Sequence, residues 1–144
     1  MKTVQIWTVG RHRDATLKGA GDEYFKRASR SFKVEEREAR DLPSLLDKLP
    51  ARDALIIALD ERGPELTSLE FARLVADWLE GPAQLLALVI GPADGLDDLV
   101  RRRAHRLLAL SKMTLAHRVV RLVLAEQLYR AASILQGSPY HREG

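Results

Sequence analysis

Ala54-Leu55-Ile56-Ile57-Ala58-Leu59-Asp60 is apolar without interruption until its final acid, and Leu85-Leu86-Ala87-Leu88-Val89-Ile90 repeats the pattern. A strand with one wet face alternates apolar and polar residues. A strand apolar throughout is covered on both faces, the mark of a parallel sheet sandwiched by helices. Between the two runs, Thr67-Ser68-Leu69-Glu70 has the form of a capping box, in which hydroxyl and carboxylate satisfy the first free N–H groups of a helix. Phe71, Leu74, Val75 and Trp78 then line one helical stripe to about Glu80, where Gly81-Pro82 stops it. The unit reads strand–helix–strand, hence α/β with a mostly parallel sheet flanked by helices.

Working outward, Thr3 to Val9 is a β-rich run with apolar alternation, closed by Gly10. Asp14 to Ser31 places Leu17, Ala20, Tyr24, Phe25 and Ala28 at helical steps. Phe32 and Val34 suggest a short, half-exposed strand, and Leu42 to Leu49 a short helix. Downstream, a polar helix is predicted from Asp97 to about Arg106, then a third apolar run, Leu107 to Leu110. The loop Ser111 to Ala116 leads into a long helix from His117 to about Gln136, ended by Gly137-Ser138-Pro139. Tyr140 to Gly144 reads as a free tail, with 137–144 expected to be flexible. No repeat or linker interrupts the chain, so one domain over 1–144 is expected.

Composition narrows the function classes. With 144 residues, 46% hydrophobic and 30% charged, wholesale disorder is excluded. The absence of cysteine removes disulfides, thiolate metal sites and Cys nucleophiles. The histidines His12, His105, His117 and His141 lack ligand spacing, so no metal is expected. No stretch approaches the ~18 apolar residues of a membrane span, and no signal-peptide core is present; a cytoplasmic location is the expectation.

Charge is uneven. Residues 51–100 carry 3 basic and 10 acidic side chains, whereas 101–144 carry 9 and 2. A polyanion partner would explain that asymmetry, and so would solvated helix faces. The densest run holds Arg101, Arg102, Arg103 and Arg106, which nearby phosphates would relieve of mutual repulsion. The last helix is apolar on more than one stripe, through Val119, Val120, Leu122, Val123, Leu124, Leu128, Tyr129, Ile134 and Leu135, with Arg118, Arg121, Glu126, Arg130 and Ser133 as interruptions. Burying it on several sides points to a homodimer.

In open α/β sheets, ligands bind beyond the carboxyl ends of strands. Three such ends stand out: Leu59-Asp60, Gly91 to Gly95, and Leu110 to Leu115. The glycine pair allows close backbone approach or marks a plain turn. Neither a phosphate loop nor a Gly-x-Gly-x-x-Gly fingerprint is present. Tyr140-His141-Arg142 could stack a base, contact phosphate and assist proton transfer, or be a frayed end.

Ile90-Gly91-Pro92-Ala93-Asp94-Gly95-Leu96 resembles the Ile-Gly-Gly-x-x-Gly-Leu element of one family. Leu110 to His117, Leu124-Ala125-Glu126-Gln127-Leu128-Tyr129-Arg130-Ala131 and Pro139-Tyr140-His141-Arg142-Glu143 resemble its C-terminal half. The family is the ribosomal RNA large-subunit methyltransferase H group of the SPOUT class. The resemblance implies a trefoil-knot α/β fold, an obligate homodimer, S-adenosylmethionine as methyl donor, and N3 of a 23S rRNA pseudouridine in the assembled ribosome as acceptor. Carried over by position, it puts the cofactor against Leu59, Gly91, Leu110, Ser111, Lys112, Met113, Thr114 and Leu115. His141 and Arg142 are then expected to act on the N3 proton and its anion, Tyr140 to position the base, and Arg130 to touch RNA. Two departures stand out: Pro92 replaces the second glycine, losing an N–H, and Ala116 stands where proline is common. Pro92 keeps alive a different class, a non-catalytic ribosome- or RNA-binding module on the same fold.

Overall fold

The two apolar runs lie side by side, paired in parallel from Ala54–Leu85 to Leu59–Ile90. The computed structural model describes residues 1–10, 15–92 and 94–143, Glu143 by its backbone alone. Along the chain come β1 (Thr3–Val9), α1 (Ala15–Ala28), β2 (Lys33–Ala39), α2 (Leu42–Lys48), β3 (Ala54–Leu59) and α3 (Ser68–Glu80). They are followed by β4 (Leu85–Ile90), α4 (Asp98–Arg103), β5 (Arg106–Leu108), α5 (His117–Leu135) and α6 (Tyr140–Glu143). The sheet order is β2-β1-β4-β3-β5, with all neighbours parallel. His12, Asp14 and Ala93 lie outside the described residues.

Position in the sheet decides burial. All seven residues of β1 are buried, not only its alternating apolar ones, because β2 and β4 flank it and helices cover both faces. One core packs α1, α3 and α5 against Ile6, Ile57, Leu86 and Leu88. The other packs α2 and α4 against Trp7, Ile56, Ala58 and Val89. β2 is an edge strand, longer than predicted and largely exposed; its charged residues suit an edge that must not pair further.

The capping box forms as predicted: Thr67 Oγ1 accepts from the Glu70 N–H at 3.1 Å, and Glu70 accepts from the Thr67 N–H at 2.8 Å. β5 is shorter than the apolar run that announced it. Beyond it the chain leaving β3 runs alongside: Asp60 N–H donates to Leu108 O, and Ala109 N–H donates to Pro64 O, both at 3.0 Å. Gly63 makes that approach possible, since a Cβ there would lie 2.9 Å from the Leu107 and Leu108 backbone.

Two expectations are corrected. Arg121 does not interrupt the buried side of α5; it belongs to it. Its side chain is 3% exposed, pairs with Asp22 at 2.5 Å and with Glu36, and stacks over Phe25, bracing α5 to α1 and β2. The presumed free tail is instead a helical turn, α6, packed on α5 by the aromatic ring of Tyr140.

Candidate functional site

The carboxyl ends of β3, β4 and β5 open into one cavity of about 550 Å³, within the usual size range of small-ligand sites. Three loops and the first turn of α5 make its walls. Gly91 is needed at the end of β4: a Cβ there would come within 2.7 Å of Leu96 Cδ2. Gly95, at φ +91°, donates its N–H to Pro92 O at 2.9 Å, and Pro92 itself faces the cavity. In the loop after β5, the Met113 N–H donates to Ser111 Oγ at 3.0 Å. Thr114 Oγ1 donates to Glu61 at 2.6 Å, fastening that loop to the one after β3.

Asp60 ties two walls together. Its side chain is 6% exposed; Oδ2 accepts from Arg101 Nε at 2.6 Å and Oδ1 accepts from the Arg62 N–H at 2.9 Å. Burial alone would raise its pKa, but the Arg101 guanidinium and the Arg62 N–H outweigh it and hold the carboxyl below its usual range.

Of the residues predicted for the cofactor, Leu59, Gly91, Leu110, Ser111, Met113, Thr114 and Leu115 line this cavity, and Lys112 does not. The predicted catalytic residues form a separate corner, where α6 meets α5. Tyr140 stacks edge-on against Tyr129 with centroids 4.6 Å apart, and its hydroxyl donates to Glu126 Oε2 at 2.9 Å. Arg130 also binds Glu126, at 2.7 Å, and lies 4.8 Å over the Tyr140 ring. Burial, then the Glu126 carboxylate, push the Tyr140 phenol above its usual range. Burial opposes ionisation of Glu126, yet Arg130 and Tyr140 together hold it below the ordinary carboxylate range.

Arg130 Nη1 lies 3.1 Å from His141 Nδ1. A guanidinium only donates, so Nδ1 is the acceptor and a neutral ring carries its proton on Nε2. His141 therefore presents an N–H donor, and its accepting nitrogen is already taken. None of Arg130, Tyr140, His141 and Arg142 lines the cavity of its own chain.

The arginine run divides. Arg101 lines the cavity with a 17% exposed side chain bound to Asp60 and Asp98. Arg103 donates to Pro50 O. Arg102 and Arg106 are exposed. By sequence Asp60 is a strand end, and Glu126 and Arg130 are interruptions of an apolar helix; their partners across the fold are not legible there. Nothing local in the sequence links Asp60 to Arg101 or Glu126 to Tyr140. Among the described residues no group of three potential metal ligands occurs, and no helix is long and apolar enough to cross a membrane.

A family model described as "Predicted SPOUT methyltransferase" matches residues 1–141. A ribosomal RNA large subunit methyltransferase H of Anaeromyxobacter sp. (strain Fw109-5) is 48% identical, the alignment covering 96% of this chain and 99% of that protein. Its counterpart in Geobacter sulfurreducens is 41% identical, covering 98% and 99%. The crystal structure of a probable methyltransferase from Bordetella pertussis Tohama I matches with TM-score 0.57 at 15% identity, covering 91% of this chain and 94% of that one, a likeness of fold.

Proposed function

Since the chain belongs to the ribosomal RNA large subunit methyltransferase H family of SPOUT methyltransferases, we propose that it methylates large-subunit ribosomal RNA, with S-adenosylmethionine as donor. The acceptor is N3 of a pseudouridine in the 23S rRNA of the assembled ribosome, and the enzyme acts in the cytoplasm as a homodimer of knotted, single-domain chains. The observation that carries this reading is the cavity at the ends of β3, β4 and β5, where the family-matched residues meet.

The residues present fit the donor. Leu59, Leu96, Leu108 and Leu115 offer apolar walls for a flat heteroaromatic ring, and the Glu61 carboxylate suits a cationic centre. Backbone groups of residues 110–115 would hold the ring edge, and Gly91 lets the main chain come close. The donor supplies an electrophilic methyl group on a sulfonium. Pro92 lies in the wall of an open cavity rather than across it, which supports the enzyme over the non-catalytic module.

Methyl transfer to N3 requires an in-line approach, with S-adenosylhomocysteine as the leaving group, and passage of the N3 proton to solvent water. Positioning supplies much of the rate once the reacting atoms meet in near-attack geometry. His141 and Arg142 stabilise the developing anion on the base, His141 through its Nε2 donor, while Tyr140 positions the ring. Because these groups stand away from their own cavity, the homodimer is what unites them with the partner's. Arg102 and Arg106 contact phosphate, Arg130 contacts RNA as well as Glu126, and the ribosome's shape supplies specificity.

The test is to incubate the chain with S-adenosylmethionine and ribosomes from a strain lacking this activity, then map the 23S rRNA by mass. One added methyl on one pseudouridine is expected, with protein-free rRNA a poor substrate. Ribosomes that gain no methyl would overturn the proposal.

A further inference from the structure

The arginine run looks like an RNA contact as a block, yet its first member is built into the cofactor cavity. Arg101 Nε donates to Asp60 at 2.6 Å and Nη1 donates to Asp98 at 2.8 Å. Asp60 lies at the end of β3, whereas Arg101 and Asp98 belong to α4, the helix that follows the glycine loop of β4. The Asp60 side chain is 6% exposed and that of Arg101 17%. A guanidinium held by two carboxylates has little positive field left for a phosphate; its bond to Asp60 spans 41 residues in sequence, and its bond to Asp98 spans three. Two of the three cavity walls are thus joined through one side chain. The third is fastened to the same loop by Thr114 and Glu61.

Resting on the proposed function, we infer that Arg101 is a positioning residue for the cofactor cavity: with Asp60 and Asp98 it fixes the spacing of the walls after β3 and β4, and it does not read RNA. Removing it lets the walls drift and weakens cofactor binding, because the gap must then be ordered at the moment of binding. Arg102, its exposed neighbour, has the opposite signature.

The experiment measures binding of S-adenosylhomocysteine to the full chain by calorimetry, and KM for ribosomes at saturating cofactor. It compares wild type with Arg101→Gln, Arg101→Lys and Arg102→Gln. Arg101→Gln is expected to lose at least about ten-fold in cofactor affinity with an unchanged ribosome KM. Arg102→Gln should raise the ribosome KM and leave cofactor affinity alone. Arg101→Lys should fall between, since an ammonium on a shorter reach keeps one carboxylate but not both; it also serves if the glutamine variant does not fold. Wild-type binding that both Arg101 variants preserve would overturn the inference alone, as would a ribosome KM raised by Arg101→Gln. No binding by the wild-type chain would overturn the proposed function and this inference with it.

Discussion

The cavity at the strand ends and the corner where α6 meets α5 are made of different material. The cavity is shaped by main chain: strand termini, a glycine packed closely under Leu96, and loops latched by Asp60–Arg101 and Thr114–Glu61. The corner is shaped by side chains, with Glu126 as hub for Tyr140, Arg130 and Gln127, and Tyr129 as floor. A backbone-built site holds a ligand and tolerates changes of most side chains. A side-chain network fails when one member is lost. On the proposed function, binding at the cavity and chemistry at the corner should therefore be separable by mutation.

The largest expected separation comes from deleting residues 138–144. Methylation should fall at least about 100-fold, as the loss of positioned anion-stabilising donors usually requires, while S-adenosylhomocysteine binding, followed by calorimetry, stays near wild type. Equal loss of both would show that the corner also supports the cavity. The converse cut is Gly91→Val, which forces a Cβ and two methyls into Leu96. Cofactor affinity should drop roughly ten-fold, with about 1–3 kcal/mol of stability lost to overpacking, read by denaturant titration. The docked α6 should persist, visible as unchanged Tyr140 burial in fluorescence quenching.

Smaller effects sharpen the contrast. Reversing Arg102 or Arg106 to Glu should weaken ribosome binding and lower its salt slope by about 1 per lost phosphate contact, with the cavity's affinity untouched. The smallest effect concerns acid. Asp60, Glu126 and Asp22 all have folded values held below their ordinary ones. Carboxyls of that kind bind more protons when unfolded, so their stabilisation is complete above the unfolded value near 4 and drains as pH falls through the folded ones. Thermal melts from pH 7 to 3 should show the decline beginning below about pH 4, and Asp60→Asn should soften it.

Much of the frame was legible locally. The runs 54–59 and 85–90 declared themselves by uninterrupted apolarity, and Thr67–Glu70 by its spacing, because strand burial and helix capping are short-range demands. The cavity residues were legible for the same reason: ligands collect where parallel strands end, and those ends can be counted along the chain. Two readings went astray where a residue's partner lay out of local view. Arg121 looked like a break in an apolar helix until α1 and β2 supplied Asp22 and Glu36. Tyr140 looked like part of a loose end until Tyr129 and Glu126 supplied a floor and an acceptor. The pairing of Arg101, read with its neighbours as an RNA contact, with Asp60 was likewise not legible locally.

Periodicity and punctuation in the chain thus determined the α/β class, the parallel strands and the places where a ligand can sit, since each depends on residues within a few positions of one another. Which charged side chains face inward, and which of two adjacent arginines braces the cavity while the other meets solvent, was decided only by tertiary packing. The physical reason is that a buried charge is tolerable only beside a counter-charge, and those counter-charges lie 41, 85 and 99 residues away.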